Sequence, residues 1–189
     1  MSSETIISIF LGIGLSASVG FRVFLPLFAL SLAAYFQLWE LNDSWLWIGS
    51  TSALITFGIA TIVEILGYFI PFIDNLLDTI AIPLATVAGT AVMVSTVADL
   101  SPVITWALAI IAGGGTAAAI KSTASATRLG SSVSTAGLAN PLVSVIETIT
   151  SIVLAIVSIF LPILAIVLVL LLFYVVFRFY KKLKRNPKH

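Results

Sequence analysis

The stretch Ser16–Phe28, SASVGFRVFLPLF, sets Arg22 between Phe21 and Val23 inside an apolar segment. A charge at the centre of a bilayer costs about 3 kcal/mol on insertion scales, and such residues face a protein interior or a wet cavity rather than lipid. Composition decides that a bilayer is the right frame. Of 189 residues 60% are hydrophobic and 9% charged, with a mean hydropathy of +1.19, whereas soluble domains carry about 25% charged residues. The chain reads as one all-α, polytopic membrane helix bundle, residues 1–180, followed by a basic tail at 181–189. The absence of cysteine excludes disulfides, thiolate metal sites and cysteine nucleophiles.

A helix needs about 20 apolar residues to cross a hydrocarbon core of about 30 Å. The sequence predicts about six spans: Ile6–Phe36, Trp45–Ile70, Phe72–Ala98, Pro102–Ile120, Pro141–Phe160 and Leu161–Tyr180. The first is too long for an untilted span, so it tilts or breaks, with Gly12, Gly14, Gly20 and Pro26 as candidate break points. The last two are divided at Pro162, and one long kinked helix is the alternative. No basic n-region precedes the first span, so it is expected to stay in the mature protein.

Six of the nine Lys and Arg residues lie in the last twelve positions. With six crossings, the positive-inside rule puts both termini in the cytoplasm. The 121–140 connection then falls inside, and QLWELNDSW (37–45) and Asp99 fall outside. Trp39, Trp45 and Trp47 cluster as an interfacial belt would. The tail, FRFYKKLKRNPKH, reads as a stop-transfer anchor that attracts anionic lipid.

Two segments read alike, IATIVEILGYFIPFIDNL (59–76) and ITSIVLAIVSIFLPILAI (149–166). They suggest two inverted three-helix repeats with interrupted helices, 5–98 and 102–180, as in many secondary transporters. Chance matching of apolar segments is the competing reading.

Several ionisable residues lie within or beside the spans. Arg22 and Glu64 sit deepest. Ser50, Thr61, Glu64 and Tyr68 share one helical face, and Ser144, Glu147, Thr148, Ser151 and Ser158 form a second stripe. Polar stripes on apolar helices face protein or water. Arg22 with Glu64 is the expected ion pair. Asp74 and Asp78 lie four apart after Pro71, either as carboxylates favoured at a helix start or as a proton or cation site. Lys121 and Arg128 are seven apart, on one face if that Ser/Thr-rich stretch is helical. It is either a re-entrant element offering cations and hydroxyls to an anion, or a solvated loop, which composition favours. AGGGTAAAIKSTASATR lacks the glycine before lysine and the preceding strand of a phosphate-binding loop. Neither a nucleotide nor nucleic acid is expected as a ligand, nor a cofactor or metal. With His189 the only histidine, hydrolase triads are out of reach, and the chain is not expected to be an enzyme. On the first helix Ser8, Gly12, Ser16 and Gly20 make a small-residue ridge for close packing. Gly14, Ser18 and Arg22 line the other side.

Three ordered motifs, SASVGFRVFLPL, DNLLDTIAIPLATVAGT and GLANPLVSVIE, resemble the bacterial integral-membrane family DUF4126, a domain of unknown function. The resemblance places the family signature on Arg22, Pro26, Asp74, Asp78, Asn140, Pro141 and Glu147 and implies no activity. The residues themselves point to a small transporter or flux pathway for an anionic solute, ion- or proton-coupled. It would work as a homodimer in contact with membrane lipid, through Arg22, Glu64, Asp74, Asp78, Lys121, Arg128 and Glu147, to which the resemblance adds Asn140. A non-transporting scaffold, or a carrier of lipid-linked anionic head groups, is the alternative.

Overall fold

The computed structural model describes residues 2–98 and 100–185, in which there are helices and no strand. The order is α1 (Ser3–Phe21), α2 (Phe24–Tyr35), a 3-10 turn (Asp43–Gly49), α3 (Thr51–Gly67), α4 (Pro71–Thr96), α5 (Pro102–Leu108), a π turn (Ala109–Gly114), α6 (Gly115–Thr135), α7 (Asn140–Phe160) and α8 (Pro162–Arg185). Local sequence explains the starts. Ser2 and Ser50 cap α1 and α3 by accepting from the amides of Thr5 and Ala53. Pro71, Pro102 and Pro162 each open a helix, where a missing N–H costs nothing.

The decisive break is at Arg22, which is extended (φ −137°, ψ 124°) between α1 and α2. Gly12, Gly14 and Gly20 lie inside α1 and do not interrupt it. Pro26 supplies the reason. In a continuous helix its ring would collide with the carbonyl four residues back, that of Arg22, which would also lose its donor.

After this break the chain turns back. Ser8 meets Ala98 and Gly14 meets Ser158, while Arg22 reaches Ser144. Beyond α2, the indole of Trp39 donates to the Ile159 carbonyl (2.9 Å) and the Asn42 amide donates to Ser95 (2.9 Å). Helices α1 and α2 therefore form a hairpin with Arg22 at its tip and both outer ends at the Ala98 end of the bundle. Helix α3 descends from that end to Glu64, which touches Val23, and α4 returns. The α5–α6 rod descends again and α7 returns. Helix α8 descends last, from Ala165 beside Gly14 to Val176, which lines a cavity with Phe21 and Glu147.

Two expectations change with this course. Among the described residues four helices are long and apolar enough to cross a membrane (Ser3–Phe21, Phe72–Thr96, Pro102–Thr135, Asn140–Phe160), or five if the 3-10 turn and α3, bent by 62°, count as one, against the six expected. The start of α1 lies at the Ala98 end of the bundle and the end of α8 at the Arg22 end. The 121–140 stretch is no loop: α6 runs to Thr135, and the chain turns at Ala136 and Gly137 (φ 53° and 84°). Residues 141–180 form two helices broken at Leu161. Asp99 and residues 186–189 of the tail lie outside the described residues.

Small residues hold the bundle together, as expected where burial in lipid supplies little force between helices. The ridge on α1 packs on α4 and α6. Ser16 donates to the Gly89 carbonyl (3.0 Å), and a Cβ on Gly20 would lie 2.9 Å from the Ala117 carbonyl oxygen. The other line of α1 packs on α7, where Ser18 donates to the Ser151 carbonyl (2.8 Å).

A Cβ on Gly89 would lie 2.6 Å from Ala117 Cβ and 2.8 Å from the Gly113 carbonyl, whereas at Gly130 nothing stands within 4 Å. Gly89→Ala is expected to destabilise the solubilised protein by about 1–3 kcal/mol through overpacking. Gly130→Ala is expected to be neutral or stabilising by about 0.5–1 kcal/mol; thermal melts compare them. Since the chain has no cysteine of its own, Glu4→Cys and Lys181→Cys can be labelled separately in sealed vesicles. A membrane-impermeant maleimide should reach them from opposite sides, and labelling from the same side would contradict the hairpin.

Candidate functional site

At the tip of the hairpin five elements bring charge together. Arg22, Arg128 and Lys121 are the largest fully buried side chains among the described residues, and Glu64, Asp74 and Glu147 are buried beside them. Such a cluster forms only because every contributing helix keeps its polar stripe on the inner face.

Arg128, on α6, is the most fully paired. Its Nε donates to Glu147 Oε1 (3.1 Å), Nη2 to Glu147 Oε2, and Nη1 to Asp74 Oδ1 (2.5 Å). The planar guanidinium thus forks onto one carboxylate and bridges to a second. Arg22 donates from Nε to Thr148 Oγ1 (2.9 Å) and from Nη2 to the Ser144 carbonyl (2.8 Å) and hydroxyl (2.5 Å). Its Nη1 lies 3.7 Å from Glu147 Oε2 but has no hydrogen-bond partner. Glu147 therefore sits between two arginines, and α7 binds the hairpin tip through one stripe of Ser144, Glu147, Thr148 and Ser151. Thr148 and Ser158 also bond their own helix; Ser144 and Ser151 reach across.

The expected Arg22–Glu64 pair is not formed. Glu64 instead accepts from the backbone amides of Val23 (2.7 Å) and Phe24 (2.9 Å). These are orphan donors of the α2 N-terminus, and the break that Pro26 imposes is what frees them. A carboxylate there satisfies both amides and meets the positive end of the helix dipole. Arg22 takes Glu147 because Glu64 is already engaged.

Tyr68, the C-cap of α3, is the centre that sequence reading missed as a site residue. The guanidinium carbons of Arg22 and Arg128 stand 4.1 and 4.2 Å from its ring centroid, and its hydroxyl accepts from Lys121 Nζ (3.0 Å). Cation–π contacts of this kind contribute about 0.5–2 kcal/mol when desolvated. Its place on the Glu64 face was the available signal.

Lys121 and Arg128 share the inner face of α6, as their spacing predicts for a helix. Asp74 joins the cluster directly. Asp78 does not form an ion pair among the described residues, and its Oδ1 is buried with no hydrogen-bond partner. Asn140 stands apart: it opens α7, donates to Ser132 (3.0 Å), and leaves Oδ1 buried without a partner. No group of His, Cys, Asp and Glu suited to a metal ion occurs among the described residues. Ionised throughout, the cluster holds three cations and four carboxylates, so one bound proton makes it neutral.

Truncating Arg128 leaves Asp74 and Glu147 buried and unpaired, which typically costs about 3–5 kcal/mol. Arg128→Met is therefore expected to lower the melting temperature of the solubilised protein more than Glu64→Gln. The Gln variant keeps an acceptor for Val23 or Phe24, and equal losses would contradict this assignment.

Comparison with known proteins returns one family: the model described as "Domain of unknown function (DUF4126)" matches residues 9–182, spanning all three sequence motifs. No curated protein and no solved structure matches the chain.

Proposed function

We propose that this chain, which belongs to the DUF4126 family, is a small membrane transporter or flux pathway for an anionic solute, with its site at the hairpin tip. The observation that carries this reading is Arg22 Nη1, a fully buried donor with no hydrogen-bond partner. A purely structural ion network gains nothing from such a donor, since leaving it unmade costs about 1–3 kcal/mol or more. An anionic oxygen that displaces Glu147 from Arg22 would satisfy it. Lys121 adds positive charge through Tyr68, and Asp78, with its own unpartnered oxygen, is the group for a coupling proton. The arrangement described is a closed one, in which Glu147 holds both arginines.

Two features of the chain's course support the reading. The segments α3–α4 and α7–α8 each break at a proline, but they turn at opposite ends of the bundle, as inverted repeats would. Every described lysine and arginine also lies in the half of the bundle that contains Arg22 and the end of α8. The positive-inside rule makes that end cytoplasmic and the start of α1 external, and puts the site nearer the cytoplasm.

The complete pairing of Arg128 favours a second reading, a scaffold whose charges only hold helices together. Flux separates the two. Vesicles carrying the wild-type protein should take up at least one of chloride, acetate and inorganic phosphate. Arg22→Gln and Glu147→Gln, still folded, should reduce that uptake at least tenfold. Uptake by these variants at the wild-type rate would overturn the site, and no uptake of any of the three by the wild type would leave the scaffold.

A further inference from the structure

A second feature lies outside the ion cluster, on the surface between α6, α7 and α8. A cavity of about 220 Å³ is lined by Phe21, Ile120, Ala124, Val143, Ile146 and Leu172 among others, with Glu147 in its wall. A groove of about 450 Å³ between α7 and α8 adjoins it and shares Leu172 and Val176. The two make one apolar channel that runs along α7 from Val143 to Val153. Ten residues of helix rise about 15 Å, half the roughly 30 Å of a hydrocarbon core, and thus the depth of one leaflet. Arg178 follows Val176 closely on α8, and Lys181 comes one turn later. Both are exposed.

We propose that this channel is a binding site for one acyl chain of an acidic phospholipid, with its phosphate held at Arg178 and Lys181. Three independent properties agree on this occupant: apolar walls, the length of one leaflet, and the exposed cations Arg178 and Lys181 at the end where the head group would lie. A neutral or hydrophilic ligand matches none of them together. The chain would close the cavity over Glu147, the carboxylate shared by Arg22 and Arg128. A phospholipid lodged there would shield the ion cluster from the bilayer and water. This site stands apart from the transport reading and does not need it.

The test is native mass spectrometry of protein taken gently from vesicles of equal phosphatidylglycerol and phosphatidylethanolamine. The wild type should retain phosphatidylglycerol, preferred at least fivefold. Val153→Trp fills the groove from a half-exposed position that tolerates a large side chain, and should abolish retention. The pair Arg178→Glu with Lys181→Glu should erase the preference. Equal retention of the two lipids by the wild type would overturn the site, as would undiminished retention by Val153→Trp. So would a wild-type dimer that Val153→Trp converts to monomer, since a second copy would then fill the groove. Lipid retention without solute uptake leaves this site intact and removes only the transport reading; uptake without retention does the reverse.

Discussion

The amides of Val23 and Phe24, held by the carboxylate of Glu64, are the point on which the rest of the structure depends. Away from water, free backbone donors cost several kcal/mol each, and a helix break is tolerable only where another group satisfies them. Pro26 makes the break and Glu64 makes it affordable, so α2 can fold back from α1 within the bundle. The reversal leaves Arg22 at a tip surrounded by α3, α4, α6 and α7.

Once the tip is placed, the charges organise themselves by availability. Glu64 is taken by backbone, so Arg22 turns to α7, where Ser144, Thr148 and Glu147 offer acceptors on one face. Arg128 claims both oxygens of Glu147 and extends to Asp74. Tyr68 lies under both guanidinium groups and accepts from Lys121, joining three cations that would otherwise repel one another. Replacement by well-packed apolar residues is often as stable as such a network. The network is incomplete at Arg22 Nη1 and Asp78 Oδ1.

Much of the site was legible from residue spacing. Arg22, Glu64, Asp74, Lys121, Arg128 and Glu147 do meet, because helical period alone puts their stripes on inner faces and lipid leaves charges nowhere else to go. The partner of Arg22 was not legible: two carboxylates were in reach in sequence terms, and only competition with backbone amides selects between them. Residues 121–140 misled for a related reason. Their Ser, Thr and Gly content is that of a loop, yet on α6 the hydroxyls of Ser122, Thr123, Thr127 and Ser134 bond carbonyls four residues back. The close approach of α1 and α4 comes just before this stretch, at Gly113 and Ala117.

By itself the sequence determined the membrane class, most of the helices, and the prolines that open or break them. These follow from composition, helical period and the missing proline N–H, all local properties. Tertiary structure alone decided that the first apolar segment folds back on itself at Arg22, with α2 returning along the bundle that α1 enters. A break at Arg22 is local, but the direction taken after it depends on Glu64, forty residues away, and on Trp39 and Asn42 finding carbonyls at Ile159 and Ser95. No spacing rule connects those positions.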